Sequence, residues 1–136
     1  MADIFTPEKR SNIMSKIKGK NTKPEMTVRS TLHRMGYRFR IHDKKLPGSP
    51  DIVLSRHKKI IFVHGCFWHG HAGCKRAAMP ESNFEFWNKK ISRNIERDNS
   101  TERELRSFGW QVLIIWQCQT KDPDALRMIL RQYMRS

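Results

Sequence analysis

Apolar residues recur along the chain in blocks whose internal spacing predicts the element each block forms. Ile13, Met14 and Ile17 make a narrow helical stripe among lysines and arginines, behind Thr6-Pro7-Glu8, a hydroxyl cap followed by proline at the first helical position. Val28, Leu32 and Met35 form the next stripe. Thr22 and Glu25 fit a capping box ahead of it, and Gly36 is placed to end the helix. Tyr37 to His42 alternates apolar and polar positions, the pattern of a half-exposed strand. Two apolar runs, Asp51 to Leu54 and Ile60 to Val63, flank the polar turn Ser55 to Lys59 and predict a hairpin. Ser82 and Glu85 fit a second capping box. Phe84, Trp87, Ile91, Ile95 and Leu105 then mark a long amphipathic helix ending near Gly109. Val112 to Trp116 is continuously apolar, the signature of a central strand covered on both faces. Asp122-Pro123 caps a last helix carrying Leu126, Ile129, Leu130 and Tyr133. Helix, helix, three strands, helix, strand, helix is the order of an α/β fold with a mixed sheet between helices.

At 136 residues the chain is long enough for a single domain, with residues 1–20 as a basic helical arm. Lys and Arg number 27 against 13 acidic residues, a formal net charge of +14 spread along the whole chain. Such an excess repels itself unless a polyanion screens it, which makes nucleic acid the leading partner. A ribosome-associated or simply soluble basic protein stays open on charge alone. No apolar run approaches the roughly 20 residues that span a bilayer, and Met1-Ala2-Asp3-Ile4 lacks the features of a signal peptide. The expectation is an intracellular, cytoplasmic protein with no membrane contact, acting as a monomer.

Chemistry concentrates between Pro50 and Cys74. Asp51 opens an apolar strand directly after proline, where a carboxylate either bonds local backbone amides or ligates a hard cation. His64 ends the neighbouring strand and His69 follows five residues later. Imidazole exchanges protons near neutral pH, and one magnesium held by Asp51 would stabilise charge on a phosphate. Glu25 is explained by its capping box; the functional alternative is that it orients His69 or a water at the metal. Cys66, His71, Cys74 and the distant Cys118 make a closed set of three thiolates and one imidazole, the structural-zinc type. Phe67 and Trp68 sit between a metal ligand and a candidate base, a poor place for core residues. Large planar side chains there could wedge into a base step, which is cheaper where pairing is defective. For Trp87, on the apolar stripe with Phe84 and Ile91, a core role is a reasonable reading.

Pro50-Asp51 with its hairpin, the run Val63-His64-Gly65-Cys66-Phe67-Trp68-His69, Phe86-Trp87, Asn94 to Asp98, Gly109 to Trp116 and Cys118 together resemble the very short patch repair endonucleases. The likeness covers nearly the whole chain. It implies a restriction-endonuclease-like αβββαβ core with a structural zinc site. It also implies magnesium-dependent nicking of one DNA strand on the 5′ side of the thymine in a T:G mismatch left by deaminated 5-methylcytosine. By position, the resemblance has Asp51 and the Val63 carbonyl bind magnesium. His64 and His69 would be catalytic, His69 as the preferred general base with support from Glu25. Cys66, His71, Cys74 and Cys118 would hold zinc. Phe67, Trp68 and Trp87 would insert beside the mismatch from the major groove, and Met14 would probe from the minor groove. Related restriction enzymes carry an acidic residue and a lysine on the strand that here holds Phe62 and His64, which favours the repair branch. The competing readings are a zinc-stapled DNA-binding module that does not cut, and a restriction-type nuclease.

Overall fold

The computed structural model describes residues 22–136; the predicted first helix and Met14 lie outside the described residues. Helix α1 (Lys23–Arg34) starts where predicted, with the Thr22 side chain accepting the Glu25 backbone N–H at 3.4 Å. Only half of the capping box forms, because the Glu25 carboxylate turns away from the cap. Strands β1 (Arg40–Ile41), β2 (Ile52–Leu54) and β3 (Lys59–His64) follow, then helix α2 (Phe84–Ser107), strand β4 (Gln111–Trp116) and helix α3 (Pro123–Arg135). The strands form one sheet in the order β1-β2-β3-β4. The first three run antiparallel, and β4 pairs parallel to β3 with His64 opposite Trp116.

Period-two alternation divides the core into two layers. Ile52, Leu54, Ile61 and Ile115 face Val28 and Leu32 of α1 and Leu126, Leu130 and Met134 of α3. Val53, Ile60, Phe62 and Val112 face Leu105 of α2. The mixed α/β architecture with flanking helices is as expected. His64, in phase with Ile60 and Phe62, falls on the α2 side of the sheet.

Four expectations need correction. The strand from Tyr37 to His42 shrinks to Arg40–Ile41, and it ends at His42, which takes a positive φ of 48° and leaves the extended region. The apolar run places β4 at the sheet centre, yet among the described strands it is at the edge. Its apolar run reflects cover on both faces by helices, not strand neighbours on both sides. The second capping box does not form: Asn83 caps α2 in a left-handed conformation without a side-chain bond. Phe84 and Ile95, placed on the apolar stripe of α2, are exposed. Asp122 caps α3 as predicted, accepting from the backbone of Asp124 and Ala125. Among the described residues no helix is long and apolar enough to cross a membrane.

Candidate active site

The buried Pro50 delivers Asp51 to the mouth of the hairpin, where its Oδ2 accepts the Val63 backbone N–H at 2.7 Å. Gly48 lets this loop press against α2; a Cβ there would stand 2.5 Å from the Thr101 methyl. Burial pushes the Asp51 carboxyl up to about 6, against the pull of the Val63 N–H, while the neighbouring Glu25 adds to the rise. Glu25 is itself buried. Its Oε2 lies 3.0 Å from the Arg29 guanidinium and 2.9 Å from His42 Nε2. Glu25, His42 and Asp51 offer ligand atoms within 4.8 Å of one another. Crowded, desolvated carboxylates of this kind gain from a hard cation, so the residues present fit magnesium.

Across the same cavity, of about 470 Å³, His64 and His69 stack face to face with ring centroids 3.7 Å apart. His69 Nδ1 sits 2.5 Å from Asp98 Oδ2, which is 4.0 Å from His64 Nδ1. Burial first, and then the adjacent His69, drive the His64 imidazole down to about 3, with Asp98 opposing. His64 is therefore neutral at neutral pH, and its Nδ1 is buried without a hydrogen-bond partner among the described residues. The carboxylate on His69 is thus Asp98 from α2, whereas Glu25, expected to support His69, is engaged by Arg29 and His42. The sequence patterns assign no role to Asp98, His42 or Asn94. A usable signal was present: Trp87, Ile91, Asn94 and Asp98 share one face of α2, and two polar residues interrupt an apolar stripe. Asn94 is buried and donates to the Trp68 carbonyl at 2.8 Å, tying the loop to the helix.

The thiol cluster follows from the parallel β3–β4 pair. Cys66 and Cys118 each lie two residues beyond the aligned His64 and Trp116. Cys66, His71, Cys74 and Cys118 bring their ligand atoms within 4.8 Å of one another, with Cys118 Sγ 3.5 Å from His71 Nδ1. The His71 ring lies flat on Trp116, centroids 4.2 Å apart. The backbone N–H of Arg76 pulls the Cys74 thiol below its ordinary value, while burial pushes the Cys66 thiol up to about 11. Three sulfurs and one nitrogen at this separation fit a closed tetrahedral zinc site.

Phe67, Trp68 and Trp87 meet edge to face, with centroids 5.4 to 5.9 Å apart. Phe67 and Trp87 are half-buried, but Trp68 is only 9% exposed. Trp68 therefore packs beneath the others rather than standing free beside the cavity as expected. The exposed aromatic on this cluster is Phe86, 57% accessible and 5.1 Å from Trp87. Lys90 Nζ lies 5.3 Å from the Trp68 ring and 5.9 Å from those of Phe86 and Trp87.

Residues 2–76 match the family model for the DNA mismatch endonuclease Vsr. A type II nicking enzyme of Xanthomonas oryzae, V.XorIIP, is 47% identical over 134 residues, 98% of both chains. V.NmeAIP, a type II nicking enzyme of Neisseria meningitidis, is 47% identical over 135 residues, 99% of this chain and 96% of its own. The DNA mismatch endonuclease Vsr of Escherichia coli is 40% identical over 126 residues, 93% of this chain and 80% of its own. The chain belongs to the Vsr family of DNA mismatch endonucleases and is a nicking endonuclease acting on DNA.

Proposed function

We propose that this enzyme cuts one strand of duplex DNA on the 5′ side of the thymine in a T:G mismatch, with magnesium at Asp51 and zinc in the thiol cluster. The observation that carries the reading is the stacked His64–His69 pair, held by Asp98, across one cavity from Asp51. The Escherichia coli relative is named for acting on mismatches, and the nicking relatives for single-strand cutting.

Asp98 accepts the Nδ1 proton of His69, which leaves Nε2 with a lone pair. That nitrogen takes the proton from the attacking water. Neutral His64 is a poor proton donor, so its part is a hydrogen bond to a phosphate oxygen. Asp51, with the Val63 carbonyl, would hold magnesium, and Glu25 would keep a second negative charge beside that cation. Magnesium bound there supplies charge stabilisation at the phosphate and a lower pKa for water. Cys66, His71, Cys74 and Cys118 would hold zinc and set the loop that carries His69. Phe67, Trp87 and Phe86 form the wedge face and Trp68 its support, while Met14 is assigned to the minor groove. A wedge pays less to open a mismatched step than a paired one, by part of the few kcal/mol that unstacking costs. Residues 1–20 are read as a basic arm on one endonuclease domain.

The test is incubation with magnesium and end-labelled duplexes carrying T:G, T:A or other mismatches in several sequence contexts. A single nick 5′ of the mismatched thymine is expected. Equal nicking of the T:A duplex would remove the mismatch reading.

A further inference from the structure

The groove between α1 and α3 carries a charge arrangement that the nicking reaction does not use. Arg34 of α1 and Arg127, Arg131 and Arg135 of α3 line it, over an apolar floor that includes Met35 and Tyr37. All four arginines are exposed. None makes a hydrogen bond or ion pair with a carboxylate among the described residues. Arg127, Arg131 and Arg135 recur every fourth residue, so they stand on one face of α3 about 6 Å apart along its axis. Like charges at this spacing destabilise a helix, which makes an unneutralised arginine stripe a costly surface to leave bare.

The Arg34 and Arg135 end of the groove lies away from the cutting site. Lys59, at the start of β3, donates its Nζ to the Met134 and Ser136 carbonyls, so α3 ends at the opposite end of β3 from His64. That strand is about 17 Å long. On α1, Arg34 lies nine residues beyond Glu25, about 13 Å along the helix. The groove thus runs down the flank of the molecule, from the start of α3 just beyond Trp116 to Arg34 and Arg135 at the far end.

We propose that this groove docks an acidic amphipathic segment of a partner protein, its carboxylates on the arginine stripe and its apolar residues on Met35 and Tyr37. Guanidinium forks match carboxylates two bonds at a time, and carboxylates every fourth residue of a helix repeat at the spacing of the arginines. An inter-helix groove with an apolar floor suits a helix or extended peptide, whereas duplex phosphates need basic groups and make no use of an apolar floor.

The probe is a labelled amphipathic peptide with glutamate at every fourth position and leucine beside it, compared with a scrambled peptide of the same composition. Anisotropy is read at near-physiological salt against the full-length enzyme, the double variant Arg127→Glu/Arg131→Glu, and Arg127→Lys/Arg131→Lys. The ordered peptide should bind at least tenfold tighter than the scrambled one. Charge reversal should weaken it at least tenfold, the lysine variant several-fold, and T:G nicking should stay within about twofold of wild type. Equal binding of both peptides, or of the ordered peptide to the charge-reversed variant, would overturn the proposal. So would a charge-reversed variant whose main defect is weaker duplex binding with a shallower salt dependence, since the stripe would then be a DNA-backbone contact.

Discussion

Replacing Asp98 with Asn tests the histidine pair with little change of shape. The wild-type carboxylate accepts from His69 Nδ1 at 2.5 Å, with both side chains about three-quarters buried or more. Hydrogen bonds to a charged group are worth about 1.5–3 kcal/mol, and an amide can offer its NH2 to Nδ1 and hold the wrong tautomer. If 2–3 kcal/mol of that preference is lost from the transition state, the rate falls by about 30- to 150-fold, at 1.36 kcal/mol per tenfold. The measurement is single-turnover nicking of a T:G duplex at saturating enzyme, with duplex affinity measured in parallel. Affinity should stay within about threefold, because Asp98 orients a base and does not hold DNA. A rate within threefold of wild type would refute the assignment, as would a loss found entirely in binding.

Other consequences follow from the same geometry. Because protonated Asp51 cannot ligate a cation, nicking should fall as pH drops through about 6, and raised magnesium should partly restore it. The sign reverses for stability: the folded carboxyl binds its proton more tightly than the unfolded one, so its contribution is fullest below 3.8 and is lost as pH rises through about 6. Asp51→Asn should therefore stabilise the metal-free protein at pH 8 by about 2–3 kcal/mol in denaturant titration, with the gain absent near pH 4. Cys66→Ser should remove zinc from the purified protein by metal analysis and lower its melting temperature; full zinc content in that variant would discard the ligand set. Trp68→Ala should cost about 3–5 kcal/mol of stability through its cavity. The exposed Phe86→Ala should instead leave stability within about 0.5 kcal/mol and reduce the T:G over T:A nicking ratio. An unchanged ratio would assign Phe86 to the surface only.

What the sequence made legible was what local rules decide. The three-layer α/β order, the β2–β3 hairpin and the caps at Thr22 and Asp122 follow from spacing and from single residues. The thiol cluster was legible because Cys66 and Cys118 each sit just past an apolar run, and parallel pairing of those runs brings them together. Long-range choices were not. Glu25 satisfied a local capping rule, but its carboxylate is captured by Arg29 and His42, thirteen residues apart in the chain. Asp98 acquires its role only because α2 packs against the face of β3 that carries His64. Local sequence makes Trp68 look like a free wedge, because nothing local reveals that Phe67, Trp87 and Lys90 pack against it.

Anomalous diffraction from crystals soaked in manganese, a scatterer that substitutes for magnesium at oxygen sites, tests the central claim most directly. The account predicts a peak at coordination distance from the Asp51 carboxylate, in the cavity that His69 lines. A peak confined to the thiol cluster, or none at Asp51 in crystals that nick DNA on dissolution, would contradict it.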